Sequence, residues 1–306
     1  DSGIPSVVEA IESDGQDHEI IVVDNGSTDD SVAWVERHFP RVRLVKLPQN
    51  LYFARGNNAG VRAARRDVVV LLNNDMVVDS RFLRPLLEGL ADGSAFAVSS
   101  QIFLRDPNRR REETGRTRGR FRRGQLELWH APMTRTVGGL EPILWAGGGS
   151  TAYDRRKYEE LGGFDTLYEP FYVEDVDLSY RAWKRGWPSL LAPSSIVYHE
   201  HRGTSRLFGD DYIRETVRKN ELLFMWRNVR DGGWLFQHLA SLPLNLRRIS
   251  LRDGHGAALR SFARALRQLP EVAARRAKIS QDLIADSDIF QRSSSQIGSQ
   301  GLPGID

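Results

Sequence analysis

An acidic residue at the end of an apolar segment is the first candidate for chemistry in this chain. Asp75 follows the apolar run Val68–Leu72, with Asn74 directly before it. A carboxylate that projects from the end of a buried strand can hold a divalent cation, which in turn can bridge a diphosphate. Asn74 adds a neutral oxygen ligand or a hydrogen bond to a sugar. A single aspartate at a strand end is also typical of a cap, so a metal site requires a further ligand.

A second ligand is available in the segment Tyr198–His201, which follows the strand-like residues Ser195–Val197. Alternation along a strand places His199 and His201 on one face, and either imidazole could complete a metal shell with Asp75. An imidazole together with a carboxylate suits Mn²⁺ or another transition metal better than Mg²⁺. The alternative is a histidine that is merely hydrogen-bonded at a sheet edge.

Three acidic residues stand at the start of a predicted helix: Glu174, Asp175 and Asp177. Asp177 and Arg181 are four residues apart, which predicts a structural use of Asp177 as an ion pair. Glu174 and Asp175 precede that pair and face the incoming loop. They can act as partners of the helix dipole, or one of them can take the proton of an acceptor hydroxyl as a bond forms.

Two further segments carry groups suited to a nucleotide. Asp24, Asn25 and Asp29 lie in a strand-end segment where a carboxylate and an amide can read a nucleobase or ribose hydroxyls, although turn chemistry accounts for them as well. Arg55 lies at a helix start, where it could meet a phosphate and where the helix N-terminus favours anions. The alternative for Arg55 is a surface side chain on a capped helix.

The elements that must position these groups alternate between strand and helix from Glu19 onward. Near-continuous apolar strands alternating with helices predict an α/β domain built on a doubly wound, mostly parallel sheet with helices on both faces. Functional groups should then cluster at the carboxyl ends of the strands. The predicted strands are Ile20–Val23, Val42–Leu47, Val68–Leu72 and Ala95–Ser99.

The rest of the chain suggests three regions: a catalytic domain over residues 1–210, a helical extension over 211–292 and a disordered tail over 293–306. Residues Arg105–Arg123, which are rich in Arg and Gly, predict an exposed mobile loop. Because an open α/β domain normally begins with a strand and this chain begins before a helical pattern at Ile4–Ile11, we expect that a first β-strand is missing.

Composition excludes several function classes. The sequence has no cysteine, which rules out a disulfide scaffold, a thiolate metal site and a cysteine nucleophile. No stretch reaches the roughly 20 predominantly apolar residues that a membrane span needs. The Arg-rich segment nearly lacks aromatic residues for base stacking, so nucleic acid is not an expected partner.

Taken together, these segments resemble family 2 glycosyltransferases, which have the GT-A fold. The resemblance runs from about Val7 to Asp231, and the Asn-Asn-Asp form together with Pro170–Tyr172 is similar to the rhamnosyltransferase-like branch. One departure is Tyr52, which stands where the family has glycine. The segments that carry the resemblance are Val22–Asp29, Asn50–Gly60, Asn73–Asp75, Gly162–Asp165 and Glu174–Leu178.

The resemblance also implies a role for each matching position. Asp175 would be the catalytic base with Glu174 beside it, and Asp75 with His199 would bind a divalent metal, Mn or Mg. Gly148 and Gly149, within the run 147–149, would border the acceptor cleft, where the lack of side chains leaves room for a sugar. The donor side would comprise Asp24, Asn25, Asp29, Arg55, Asn58 and Asn74.

The resulting hypothesis is an inverting, metal-dependent transfer of a sugar from a nucleotide-sugar donor to a glycan or lipid-linked acceptor in surface polysaccharide synthesis. A non-catalytic nucleotide-sugar or glycan-binding module is the alternative. A nucleotidyltransferase would need a Gly-rich phosphate loop, which the sequence lacks. The predicted location is cytoplasmic, with attachment to an anionic membrane surface on the inner face of the cell membrane. The motives are Arg105–Arg123 and the basic amphipathic pattern Leu259–Leu269, whose apolar face could instead pack on the catalytic domain.

Overall fold

The computed structural model describes residues 3–104, 115–132, 139–200, 208–253, 255–278 and 283–295. The first part alternates strands and helices, because short apolar strands bounded by turn residues are followed by amphipathic segments. Its elements are α1 Gly3–Asp14, β1 Ile21–Asp24, α2 Ser31–His38, β2 Arg43–Lys46, α3 Tyr52–Ala63, β3 Val68–Leu72, β4 Met76–Val78, α4 Leu83–Leu90 and β5 Ala97–Leu104.

The second part adds a hairpin, further strands and a run of helices. A one-turn 3₁₀ helix, Thr166–Tyr168, precedes α6. The remaining elements are β6 Thr117–Arg122, β7 Gln125–His130, β8 Glu141–Ile143, β9 Ser150–Asp154, α5 Arg155–Glu160, α6 Glu174–Lys184, β10 Ser189–His199, α7 Asp210–Asn228, α8 Gly232–Asp253, α9 His255–Arg267, α10 Leu269–Ala277 and α11 Asp286–Arg292.

The main sheet has six strands in the order β3-β9-β5-β10-β4, with β8 paired to β10. The predicted α/β class is confirmed, but the mostly parallel arrangement is wrong for this sheet. Only β5 and β10 pair in parallel, and the other pairings are antiparallel. Residues 73–75 are too short for a parallel crossover, and β9 inserts antiparallel between β3 and β5. Strands β1 and β2 form a separate parallel pair.

Helices cover both faces of the sheet, as the sequence predicted. On one face, α3, α5 and α6 bury Val61, Tyr158 and Leu178 against strand residues such as Leu71. On the other face, α1 and α4 contribute the cluster built from Ala10, Leu83, Leu86 and Leu90. The two clusters hold the strand ends at fixed positions, which is what a site at those ends requires.

The hairpin β6–β7 corrects the predicted loop Arg105–Arg123. Residues 105–114 lie outside the described part, but Thr117–Arg122 form β6 and pair with β7. Thr117 and Gly119 are buried, whereas Arg120 is exposed. The alternation has the period of a strand, but its inward positions are small residues, so an apolar pattern was not visible.

The C-terminal helices pack directly on α6. Leu223 of α7, Ala265 of α9 and Val272 of α10 share an apolar cluster with Trp183 of α6 and with Tyr168. The boundary predicted at residue 211 stays a prediction. Of the predicted tail 293–306, residues 293–295 form a turn after α11 and the rest lies outside the described residues. No helix that the structure describes combines the length and apolarity required to cross a membrane.

Candidate active site

Asp75 and His199 meet at the edge of the main sheet, as their strand-end positions predicted. Strand β10 runs antiparallel to β4 with His199 opposite Met76, so the residue before Met76 lies beside the histidine. Oδ2 of Asp75 is 3.0 Å from Nε2 of His199, and the two side chains are 17% and 24% exposed. The backbone N–H of Glu200 donates to the carbonyl oxygen of Asp75 and fixes the junction.

This pair fits part of the coordination shell of a divalent cation. A carboxylate and an imidazole within one hydrogen-bond distance are ligands that Mn²⁺ accepts. Among the residues that the structure describes, no group of three or more His, Asp or Glu side chains could hold a metal. Within the described part of the chain, two side chains would therefore be available as ligands here. His201, the other predicted histidine, lies outside the described residues.

The start of α6 presents Glu174 and Asp175 from an unusual backbone. Tyr172 and Val173 have φ angles of 70° and 79°, in the left-handed region that a β-branched residue rarely adopts. Such strain is typical of residues that position functional groups. The carboxylate of Asp175 accepts a hydrogen bond from the backbone N–H of Val176 at 2.8 Å, and the nearby backbone N–H of Gly148 favours its charged form. The left-handed turn thus places Asp175 against the loop that contains Gly148.

The two carboxyl groups are inequivalent in charge. Burial raises the pKa of Asp175 above its ordinary value of 3.8. Burial and then the charge of Asp175 raise the pKa of Glu174 to about 8. At neutral pH Glu174 is therefore largely protonated, because two neighbouring buried carboxylates do not both ionise easily. The role of Asp175 as a proton acceptor stays a prediction.

Asp177 has the structural use that the sequence indicated. Its Oδ2 accepts from Nε of Arg181 at 2.7 Å, and Oδ1 accepts from the hydroxyl of Tyr168 at 2.8 Å. Arg227 of α7 also donates to Asp177. Burial alone would raise the pKa of Asp177, but Arg181 and Arg227 outweigh it and hold the pKa well below the ordinary value. The network joins α6 to α7 and so fixes the position of α6, whose first residues are Glu174 and Asp175.

A cavity of about 340 Å³ lies beside the Asp75–His199 pair. His199 and Met76 line one side of it, and Gly147 lies in the lining as well. Thr117 and His130, from the end of the β6–β7 hairpin, add a further wall. Its volume lies within the range of small-molecule sites. The cavity is therefore lined both by His199, a predicted metal ligand, and by Gly147 of the glycine loop, residues 147–149.

The glycine loop corrects one expectation. A Cβ at Gly148 would lie 2.7 Å from the ring of Phe53, and a Cβ at Gly149 would lie 3.1 Å from Met76. The space beside these two glycines is thus filled by protein, so they do not leave room for a sugar. Gly147 meets nothing within 4 Å and lines the cavity. The absence of a side chain opens space at Gly147, while Gly148 is needed for close packing and for its N–H.

The predicted donor-side residues in the first segment make local contacts. Asp24 accepts from the backbone N–H of Ser27 at 3.1 Å, and Asp29 accepts from that of Ser31 at 3.0 Å, so both have the capping role that turn chemistry allowed. Asn25 joins this segment to the second one, because its Oδ1 accepts from Leu51 N–H and its Nδ2 donates to the carbonyl of Tyr52. Their contacts with a nucleotide stay predictions.

Tyr52 adopts a backbone conformation that glycine reaches more easily. Its φ angle is 62°, so the loop has a left-handed residue at the start of α3 despite the aromatic side chain. Two hydrogen bonds hold it: Asn25 donates to its carbonyl, and its N–H donates to Oδ1 of Asn50.

Arg55 and Asn58 of α3 bind other parts of the protein. The guanidinium of Arg55 donates to Glu169 at 2.7 Å, on the loop before α6. Asn58 donates to the carbonyl of Phe164 and accepts from its N–H, so its amide closes the turn that precedes the 3₁₀ helix. Asn74 is exposed on the turn between β3 and β4. None of these residues lines the cavity among the residues described.

Sequence reasoning missed Asn220 of α7. This fully buried amide donates to the carbonyl oxygens of Tyr168, Phe171 and Tyr172, the last at 2.8 Å. It holds the strained loop that leads into Glu174. An asparagine within a long polar helix carries no sequence signal for such a role, because the partners are backbone carbonyls about 50 residues away.

Comparison with known proteins decides the family. The sequence model described as "Glycosyl transferase family 2" matches residues 3–162, more than half of the 306 residues. The chain belongs to glycosyl transferase family 2. The family predicted from the ordered motifs is confirmed, and with it the assignment of the chain to the glycosyltransferases.

Curated relatives of this family 2 glycosyltransferase come from distant organisms. An N-acetylgalactosaminyltransferase 6 of Drosophila melanogaster is 29% identical over 201 residues, covering 60% of this chain and 29% of its own length. An N-acetylglucosaminyl-diphospho-decaprenol L-rhamnosyltransferase of Mycobacterium tuberculosis is 24% identical over 238 residues, covering 70% of this chain and 76% of its own length. The chain thus spans less than a third of the insect protein and about three quarters of the mycobacterial one.

Among solved structures, the chain is similar to the crystal structure of GalNAc-T7 with UDP, GalNAc and Mn²⁺. The TM-score is 0.59 at 16% identity, and the match covers 83% of this chain and 51% of that chain. At this identity the similarity concerns the fold alone. It agrees with the GT-A fold that the motifs implied.

Proposed function

We propose that this family 2 glycosyltransferase moves a sugar from a nucleotide-sugar donor to a hydroxyl of a glycan or lipid-linked saccharide, with inversion and with the help of a divalent metal. The observation that carries the proposal is the Asp75–His199 pair beside the cavity. His199 lines this cavity, and so does Gly147, which precedes Gly148 in the loop near Asp175. A cation-binding pair beside a cavity suits stabilisation of a leaving diphosphate, and Asp175, which lies outside the cavity lining, is the proposed proton acceptor.

The proposed reaction is a single displacement. Asp175 takes the proton of the acceptor hydroxyl as the oxygen bonds to the anomeric carbon and the bond to the leaving diphosphate breaks. Because the acceptor attacks from the side opposite the leaving group, the configuration inverts. Glu174, largely protonated at neutral pH, keeps a second negative charge away from the diphosphate.

Asp75 and His199 would hold the divalent metal, whose positive charge would stabilise the leaving diphosphate. Arg55 is the proposed second cation for the diphosphate. It is about half exposed but bound to Glu169, so this role requires an exchange of partners. Asp24, Asn25, Asp29, Asn58 and Asn74 remain proposed donor-side residues, and for Asn25 and Asn58 we propose support of the donor-side loops through the contacts that they make.

A lipid-linked acceptor and a role in surface polysaccharide synthesis also belong to the proposal. The mycobacterial relative is named for a decaprenol-linked substrate, and it shares the larger part of its length with this chain. An acceptor of this kind would place the enzyme at the cytoplasmic face of a membrane.

The test is turnover with a panel of nucleotide sugars and a soluble saccharide acceptor, with Mn²⁺, Mg²⁺ or chelator. We expect release of nucleoside diphosphate that depends on metal, and a product with inverted anomeric configuration by NMR. In isothermal titration, Asp75→Ala should weaken Mn²⁺-dependent binding of nucleoside diphosphate, whereas Asp92→Ala, which removes only a turn contact with Ser94 after α4, should not. Donor binding without turnover would favour the non-catalytic module instead, and equal binding with and without metal would remove the roles of Asp75 and His199.

A further inference from the structure

Helix α8 has polar residues at its most buried positions. The side chains that it buries most are His238 and Asn245, which are 2% and 3% exposed. Nδ1 of His238 bonds to the carbonyl of Gly124 at 2.7 Å, and Nδ2 of Asn245 donates to the carbonyl of Arg123 at 3.3 Å. The apolar residues on the same side of the helix are only half-buried: Trp234, Leu235, Leu242, Leu246 and Ile249. A helix that only packs on its own protein buries its apolar residues on one face and leaves polar residues outside.

The outward face of α8 is apolar. Phe236 and Leu251 are 75% and 73% exposed, and Leu239 and Leu244 are 59% and 50% exposed. At 3.6 residues per turn these four side chains lie within an arc of about 140°. A row of this length on one side of a helix is far more than the scattered apolar residues of an ordinary surface, and it indicates a contact with another apolar phase.

The charged residues of α8 indicate which partner contacts this apolar face. Arg247, Arg248 and Arg252 are exposed at the C-terminal end of the row. Residues 232–252 contain no aspartate or glutamate. A second copy of this face would offer these arginines no acidic side chain to pair with. An anionic lipid surface instead accepts both the apolar row and the cations.

The position of α8 links this face to the site. The helix contacts the tip of the β6–β7 hairpin at Arg123 and Gly124, and Trp234 stacks on Phe121 with ring centroids 4.4 Å apart. The other end of the same hairpin supplies Thr117 and His130 to the cavity wall. A surface that holds α8 therefore also holds a wall of the cavity.

We propose that the exposed face of α8 docks on an anionic lipid bilayer and so holds the cavity near a lipid-linked acceptor. The access to a lipid-linked acceptor rests on the proposed function, whereas docking on the bilayer does not require catalysis. The membrane contact predicted from Leu259–Leu269 stays a separate prediction. In α9 the buried positions are Ala258, Ser261 and Ala265, while Leu259 and Leu266 are exposed.

Co-sedimentation of the full chain with vesicles tests the docking. We expect binding to vesicles of phosphatidylglycerol and phosphatidylcholine, weaker binding at high salt, and little binding to phosphatidylcholine alone. Phe236→Ser with Leu251→Ser should lower the partition coefficient by about tenfold or more, because each loses several buried carbon groups. Arg247→Gln should lower it about fivefold. The matched control is Leu259→Ser, an exposed leucine on α9, which should bind as the parent does.

The double variant should keep the melting temperature of the parent, because both side chains are exposed. Unchanged vesicle binding of the double variant, an equal loss in the α9 control, or no binding of the parent to anionic vesicles would overturn the proposal. So would a dimer in size-exclusion chromatography that the double variant dissociates, since a second copy would then cover the face. Turnover with a soluble acceptor separates the two proposals: its persistence without vesicle binding refutes docking alone, and its absence with vesicle binding refutes the catalytic function alone.

Discussion

The side-chain amide of Asn220 on α7 donates a hydrogen bond to the backbone carbonyl of Tyr172 at 2.8 Å. Tyr172 is the first of two consecutive left-handed residues before Glu174. Each such residue is held at a cost of about 1–3 kcal/mol, which the surrounding contacts must offset. A helix beyond the region matched by the family model therefore sets the position of the proposed catalytic base.

Replacing Asn220 should reduce turnover more than binding. Asn220→Ala removes the donor that three carbonyl groups share, so the loop before Asp175 relaxes. We expect kcat to fall by about 10–100-fold, the scale associated with misplacing a catalytic group by about 1 Å, while the donor KM changes little. Steady-state kinetics with the donor varied measures this split. A merely structural role would instead lower the amount of folded enzyme and leave kcat per folded molecule unchanged.

The matched control for Asn220 lies one turn earlier on α7. Thr216 is fully buried, and in the described part of the chain its Oγ1 has no hydrogen-bond partner. Thr216→Val should therefore keep kcat and KM close to those of the parent. An equal loss of kcat in both variants would show that any change in α7 disturbs the enzyme and that the Asn220 contact is not specific.

Asp175→Asn should abolish most transfer while donor binding persists. The substitution removes the proton acceptor and leaves the volume nearly unchanged, and general bases contribute about 10²–10⁴-fold to rate. Glu174→Gln is the matched variant. Because burial and the charge of Asp175 raise the pKa of Glu174 to about 8, that side chain is largely neutral at pH 7 and the amide imitates its state. Comparable losses in the two variants would contradict the assignment of Asp175 as the base.

The pH dependence of the rate should reflect the ionisation of Asp175 and Glu174. Burial raises the pKa of Asp175, and a base works only when it is deprotonated, so kcat/KM should rise with pH through an apparent pKa above the ordinary 3.8. Above about pH 8, ionisation of Glu174 adds a second negative charge, and the rate should decline. Glu174→Gln should lose that decline and keep the rising limb. If kcat/KM of both the parent and Glu174→Gln stays constant from pH 4 to 9, the prediction is wrong.

Asp177→Asn should destabilise the fold rather than act on chemistry alone. Asp177 is fully buried between Arg181 and Arg227, and removing one partner of a buried ion pair costs about 3–5 kcal/mol. Urea denaturation at pH 7 measures this change in the free energy of unfolding. Asp211→Asn, at an exposed pair with Arg214, should change it by less than about 1 kcal/mol.

The sign of the pH effect follows from the lowered pKa of Asp177 in the folded state. The stabilisation is complete above the unfolded pKa near 3.8 and is lost as pH falls below it. The difference between the parent and Asp177→Asn should therefore shrink when the urea series is repeated at acidic pH. A constant difference would mean that Asp177 does not act through its charge.

Local sequence determined much of the architecture. Strand β3 spans Val68–Leu72 as predicted, because a short β-branched run between turn residues has few alternatives. The pair Asp177 and Arg181 follows from helical spacing, and the meeting of Asp75 with His199 was anticipated from strand-end positions. The motifs that identified the family are local as well. Each depends on a few neighbouring residues whose preferred geometry is set by the backbone itself.

Tertiary structure alone decided the rest. The mixed sheet depends on β9 inserting between β3 and β5, and hydrogen bonding between distant strands is not encoded in either strand. Gly147 rather than Gly148 opens the cavity because the ring of Phe53, far away in sequence, fills the other position. The burial of Asn220 and of His238 and Asn245 on α8 has the same cause: a buried polar group must be satisfied by whatever carbonyl the fold brings to it, and periodicity cannot tell which face of a helix will meet the protein.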